Sequence, residues 1–402
     1  MAILVDGSDM IYFFVAVLLL LLSFHYDICG NTKKRTFWYN VVLVLLILIA
    51  GLRWRLGTDT VGVLESFYMR TPLFSDIVFE DSMVRYPLWH LLNSIVYTLC
   101  GKFFVVQLAQ SSFLNILLFK YIKKHSKYVF TCIFFYFIWM YTTLNMEEMK
   151  ASMAIPLILY SNDFILNRKW FKGLLLMIIG CFFHFSVFFL LVTPFLLFLR
   201  VNRLGLCVLV LSFFVGFFLQ KVLSDYIMVF EFSDDFYNKA EAYSNSEKYS
   251  GGMSLFKSLV LTIPIIFYSL FSFSYVKKKG PNPELIKLEP FLMIGLLFCV
   301  LQLNIYIFYR YFHFYIIYLI MYYAQAFVDY IHNTKNVSIS LSYFRNMLII
   351  IPLLFLMLWP YVGMYYRYYP YSSVIERKLD RKREMKQAEY NPERSLPRDD
   401  WY

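Results

Sequence analysis

The sequence predicts an all-α polytopic membrane protein: about 12 membrane-crossing helices, with a short helix pair at 173–199 and an outer amphipathic helix at 86–101. Three observations carry this. The 402 residues are 60% hydrophobic and only 16% charged, a balance unlike that of a soluble domain. Apolar runs long enough to span a bilayer recur from end to end. The basic residues gather in short connections between those runs, where the positive-inside rule puts them. That placement accounts for the net charge of +11 without a nucleic-acid partner. The six cysteines (29, 100, 132, 181, 207 and 299) lie scattered, with no CxxC or zinc spacing, so neither a metal site nor a disulfide framework is expected.

The first apolar run, Met10 to Phe24, follows Asp6 and Asp9 rather than a basic start, so it reads as an uncleaved helix and not a signal peptide. Lys33-Lys34-Arg35 then marks the inner side, and the second helix, Thr36 to Leu52, delivers Arg53 to the outer side. Residues 53–102 form an outer loop. Within it, Leu88, Leu91, Leu92, Ile95, Val96 and Leu99 share one helical face, with His90, Asn93, Ser94 and Thr98 largely opposite. A span would be apolar all round, so 86–101 lies on the membrane. Phe103 to Tyr121 crosses inward to Lys120, Lys123, Lys124 and Lys127, and Tyr128 to Leu144 returns. Another helix runs from Glu147 to Leu166.

Basic residues flank both ends of the apolar stretch Gly173 to Leu199. It is too long for one comfortable span and too short for two, so two short helices meeting near Phe183-His184-Phe185-Ser186 are expected. Leu204 to Leu223 crosses outward to a second outer loop, 224–252, acidic and tyrosine-rich. Met253 to Tyr275 returns to Lys277-Lys278-Lys279, Leu288 to Phe308 goes out, Tyr311 to Tyr330 comes in, and Asn346 to Tyr366 is the last span. Residues 1–370 thus read as one bundle, and 371–402 as a charged tail that this count places outside.

The candidate site begins at Arg53-Trp54-Arg55-Leu56-Gly57-Thr58-Asp59. Arginine and tryptophan both favour the headgroup zone, so a plain anchor is one reading. The Gly57-Thr58-Asp59 turn favours another: polar groups aimed at a ligand, with Arg53 and Arg55 offering planar forks of donors to a phosphate. Glu147, Lys150 and Ala154 put a charged face at the start of a membrane helix, which is either a solvated pair or a functional one. His184 falls at a helix break, where irregular backbone is buried in protein or faces a wet cavity. It is otherwise a histidine satisfied by a backbone carbonyl. Arg310 occupies the tightest outer turn, beside Tyr311.

These residues, in this order, resemble a known family. Arg53 with Gly57-Thr58-Asp59 is similar to the Arg-x-x-x-Gly-Thr-Asp signature of the EpsG-type polysaccharide polymerases, relatives of the Wzy O-antigen polymerases. The family's Glu-Pro-Gly segment is replaced here by Arg85-Tyr86-Pro87. Its Arg-Gln-x-x-Ala helix start is represented by Lys150 to Ala154, with Lys150 for arginine and Ala151 for glutamine. Phe183-His184-Phe185-Ser186 matches its Phe-His-x-Ser, and Arg310-Tyr311-Phe312 its late arginine. The resemblance implies a bacterial inner-membrane enzyme that joins oligosaccharide repeat units carried on undecaprenyl diphosphate. The product is an O-antigen, capsule or exopolysaccharide, and a flippase and a chain-length regulator serve the same pathway. No nucleotide, metal or other cofactor is implied. Under this resemblance Arg53, Arg55 and Arg310 hold the diphosphate. Asp59, Glu147 and His184 stand as equal candidates for base or sugar positioning, while Gly57, Thr58, Lys150 and Tyr311 bind substrate.

Two other classes fit parts of the pattern. A flippase of lipid-linked sugars shares the polytopic build, but no repeat of two halves is visible, and two large outer loops suggest work on one face. A lipid-sugar-dependent glycosyltransferase or ligase with Asp6 or Asp9 as catalytic acid would place its chemistry before the first helix.

Overall fold

The computed structural model describes residues 10–57, 60, 66–77, 86–226, 255–279, 281–305, 307–333, 357–358 and 367–377. Among these residues the chain is helical, and an isolated antiparallel bridge between Arg53 and Ser373 is the strand-like pairing. The principal helices are α1 (Ile11–Leu22), α2 (Arg35–Gly51), α3 (Pro87–Cys100), α4 (Phe103–His125), α5 (Val129–Trp139), α6 (Met149–Leu166), α7 (Trp170–Phe183), α8 (Arg203–Tyr226), α9 (Leu255–Lys279), α10 (Glu289–Leu301) and α11 (Phe308–Asn333).

Three segments, Ile11–Ile28, Phe103–His125 and Phe308–Asn333, are long and apolar enough to cross a membrane, and α2, α5, α7 and α10 are shorter apolar helices. The expectation of about twelve crossings is thus met only at the coarser level of an all-α, apolar-helix protein. One reason is local. Helix α6 turns Ser152, Ser161, Asn162 and Asp163 inward against its neighbours, which dilutes its apolar character. Another is that the expected span at 346–366 falls almost wholly outside the described residues, as do Asp6, Asp9 and most of the loop at 224–252.

The chain divides into two compact units: Met1–Leu191 with Met357–Tyr402, and Val192–Leu356. In the first, α6 and α7 pack closely through small residues. A Cβ on Gly173 would lie 2.6 Å from Ile165, and Ser161 Oγ donates to Gly173 O at 2.6 Å. At the C-terminal ends of α4 and α6, Asp163 accepts from Lys124 (2.5 Å) and Tyr121 (3.1 Å) and contacts His125 (2.8 Å). That cluster pins the two helices at one end and leaves their other ends to frame the site.

Helix α3 begins on Pro87 and ends on Gly101 at φ +59°, the proline-in, glycine-out pattern of a defined helix. Its polar residues His90, Asn93 and Ser94 turn inward with Trp89 and Val96, while Ile95 and Leu99 (78% exposed) face out. The two faces differ in polarity as expected, but Val96 and Leu92 pack on the protein side and Thr98 is exposed. Helix α7 stops at His184, whose backbone is extended (φ −152°, ψ 118°), and a 3-10 segment, Phe185–Leu196, follows. The break falls where the stretch at 173–199 required one.

In the second unit, Tyr323 Oη donates to Ile265 O at 2.9 Å, joining α11 to α9, and Tyr322 Oη donates to Leu285 O at 2.7 Å. Glu289, opening α10, accepts from Val201 N at 2.7 Å. Arg310 lies in the first turn of α11, not in a turn ahead of it as expected, because the helix starts at Phe308.

Candidate functional site

Helix α2 ends at Gly51, and the chain leaves it in a segment held by residues from the far end of the sequence. Trp54 N donates to Ser372 O (2.8 Å), Val374 N to Leu52 O (2.8 Å) and Gly57 N to Arg367 O (2.9 Å). Tyr371 Oη adds a bond to Ile49 O at 3.0 Å. Residues 367–374 thus form a strap along 52–57, on the same side as the end of α2.

Two residues under the strap have unusual backbone. Gly57 has φ +93°, and a Cβ there would sit 2.5 Å from Met146 O, so both conformation and space require glycine. Arg55 has φ +51°, uncommon for a residue with a side chain. Its guanidinium lies 5.2 Å from the Trp54 ring centroid. Thr60 Oγ1 donates to Met146 O at 3.1 Å, so Thr60 is held to the segment that precedes α6.

That segment contains a π-turn, Thr143–Glu147, a device frequent at functional sites. It turns Glu147 toward the strap. Arg367 Nη1 reaches both Glu147 oxygens, at 3.2 and 3.3 Å, with the side chains 11% and 15% exposed. Glu147 therefore precedes α6 instead of sharing its face, and its charge is compensated across 220 residues of sequence.

Arg53 is 0% exposed. Nη1 donates to Ala50 O, and Nη2 contacts Met149 Sδ at 3.0 Å. Nε has no hydrogen-bond partner, and no carboxylate pairs with the guanidinium among the described residues. Burial pulls its pKa down to about 10, with Tyr141, Tyr12 and Tyr371 acting the other way, so it is cationic at neutral pH. Trp54 and Arg55 are also buried. The anchor reading fails for this stretch: snorkelling side chains would end in the headgroups, and these end inside the protein.

Lys150 and His184 are brought together through a residue the motif comparison had passed over. Lys150 Nζ lies 4.7 Å from the Tyr86 ring centroid, and Tyr86 lies 5.6 Å from the His184 ring. His184 Nδ1 accepts from Ser186 N at 3.3 Å, an arrangement that puts the proton of the neutral ring on Nε2 and makes that nitrogen a donor. Met149 joins the two halves. It contacts Arg53 and packs in a cluster with Tyr68, Trp89, Val96, Val106 and Met153, against which Tyr86 and Phe183 lie.

The first unit thus gathers Arg53, Arg55, Gly57, Glu147, Lys150 and His184. Arg310 and Tyr311 belong to the second unit. There Arg310 Nε donates to Tyr309 Oη at 3.1 Å and Tyr311 stacks on Phe298 at 5.4 Å. Thr58 and Asp59 lie outside the described residues. Sequence reasoning missed Arg367, although Tyr365-Tyr366-Arg367 after an apolar run has the same look as the stretch around Arg53.

No curated protein and no solved structure matches the sequence. The model of the EpsG family matches residues 36–373, most of the chain. That span takes in the Arg53 turn and all but the last residue of the strap that covers it, and the chain belongs to the EpsG family.

Proposed function

We propose that the protein polymerises lipid-linked oligosaccharide repeat units at the outer face of the bacterial inner membrane, with undecaprenyl diphosphate as leaving group. Membership of the EpsG family supports polysaccharide polymerisation as the class of reaction. One observation carries the chemistry: Arg53 is a fully buried cation with no carboxylate partner among the described residues. A buried charge is costly unless paired, which favours an anion as the ligand of this site. A diphosphate fits, because its oxygens take the planar guanidinium fork.

In the reaction, the bond from the anomeric carbon of one saccharide to its diphosphate breaks as a hydroxyl oxygen of another unit bonds to that carbon. The hydroxyl proton passes to a base and the lipid diphosphate leaves. Arg53, with Arg55 in the same unit, stabilises the charge growing on the leaving group. His184, a donor at Nε2, suits sugar positioning, and Lys150 supplies a second cation beside it. The carboxylates left for the base are Glu147, held by Arg367, and Asp59. Orientation follows from charge: Lys33, Lys34 and Arg35 precede α2, and Lys123 and Lys124 end α4, which supports placing the Arg53 end outside.

Deleting the gene tests the reading. Single repeat units should remain on lipid and long polymer should vanish. Normal long chains in the deletion strain would refute polymerisation, and lipid-linked units trapped on the inner face would point to a flippase.

A further inference from the structure

Beside Arg53, the interface of α3, α4 and the start of α6 holds an unusual set of polar atoms. Tyr68 Oη, Trp89 Nε1, Asn93 Oδ1, Gln107 Oε1 and Gln110 Oε1 are each screened from solvent and have no hydrogen-bond partner among the described residues, as is true of Arg53 Nε. Buried polar atoms are nearly always satisfied, so several together, drawn from neighbouring elements, call for a missing partner.

The helical register puts these side chains on common faces. Asn93 follows Trp89 by one turn on α3, and both are buried. Gln107 and Gln110 are buried on α4 beside Val106. Trp89, Tyr68, Val106 and Met149 pack in one cluster, and Met149 touches Arg53. Two of the amides are already oriented. Asn93 Nδ2 donates to Trp89 O at 2.7 Å. Gln110 Nε2 donates to Ser152 Oγ at 2.6 Å and to Leu144 O at 3.3 Å. Only the amide nitrogen can donate to a carbonyl, so the amide oxygens are fixed as open acceptors.

The set contains both kinds of group. Arg53, Tyr68 and Trp89 offer hydrogens, and Asn93, Gln107 and Gln110 offer oxygens. A phosphate would satisfy only the donors and a cation only the acceptors. A ligand bearing several hydroxyls satisfies both, and apolar walls with a few placed polar groups are the usual make-up of a small-molecule site. Tyr68, Trp89, Tyr97 and Phe103 supply the walls.

We propose that this closed interface under α3 parts to form a saccharide subsite, taking a sugar ring of the lipid-linked substrate next to the diphosphate held by Arg53. The proposal rests on the polymerase reading for the identity of its ligand. The exposed Ile95 and Leu99 face of α3 puts the subsite at the lipid boundary, where a lipid-linked sugar arrives.

Two substitutions remove unpartnered atoms: Tyr68→Phe deletes only the hydroxyl, and Gln107→Leu deletes the amide oxygen together with its nitrogen. The full chain in lipid nanodiscs is melted with and without two probes: the lipid-linked saccharide pool extracted from cells lacking this protein, and bare undecaprenyl diphosphate. Without a probe, Tyr68→Phe should melt no lower than the unsubstituted protein, because no protein hydrogen bond of the hydroxyl is lost. With the saccharide pool, the stabilisation seen in the unsubstituted protein should need about tenfold more probe in each variant. Bare undecaprenyl diphosphate should act equally on all three. A lower melting temperature of Tyr68→Phe without probe would assign these atoms to structural water and overturn the proposal. So would an unchanged response to the saccharide pool, or an equal loss with the bare diphosphate. If the unsubstituted protein binds the pool saturably but makes no polymer from it, polymerisation fails while the subsite stands.

Discussion

Arg53 and Gly57 show how much one residue can fix. Arg53→Ala should lower polymer yield by about a hundred- to a thousandfold, the effect of removing a donor from a desolvated transition-state site, worth about 2.7–4 kcal/mol. Arg53→Lys should not restore it, since an ammonium lacks the fork. Yield at matched expression checks both, and near-normal polymer from Arg53→Ala would remove it from the chemistry. Gly57→Ala acts on folding instead: φ +93° and the Met146 carbonyl at 2.5 Å leave no room for Cβ, so about 1–3 kcal/mol should be lost. Thermal unfolding of the purified protein reads it. Arg367→Ala and Glu147→Ala should each destabilise, and the double variant should lose less than their sum. Additive losses would mean that the pair contributes nothing of its own.

At the scale of elements, the sequence was most legible where one element carries its own signal. The break at His184 was readable because the stretch at 173–199 fits neither one span nor two, and the chain resolves that misfit with α7 and a tighter 3-10 segment. Helix α3 was readable from periodicity, because its faces differ in polarity. The pairing of Arg367 with Glu147 was not readable, since nothing local to either residue names a partner so far along the chain. The same holds for Tyr86, which joins Lys150 to His184 by ring geometry that no spacing encodes. The faces of α3 give a further prediction. A photoreactive group at position 99 should crosslink to lipid, while one at position 90 should crosslink to protein. Protein crosslinks from both positions would mean that the apolar face is covered. Cysteines at 169 and 202 should both resist an impermeant outside reagent if the segment between them enters and leaves on the cytoplasmic side.

At the scale of the molecule, the candidate cations are shared between two compact units, with Arg53 and Arg55 in one and Arg310 in the other. If Arg53 and Arg55, which share a unit, grip one diphosphate, their alanine variants should combine non-additively, the double variant losing little beyond the worse single. Losses in rate that multiply in the double variant would mean separate ligands. The strap at 367–374 has a consequence in time as well as space. A polypeptide emerges from the ribosome in order, so the Arg53 turn waits, unclosed, through the synthesis of more than three hundred residues before its covering segment exists. A stop codon after 366 should therefore yield a membrane-inserted but inactive chain, while one after 377 keeps the strap. The turn around Arg53 is therefore complete only once residues 367–374 have been made.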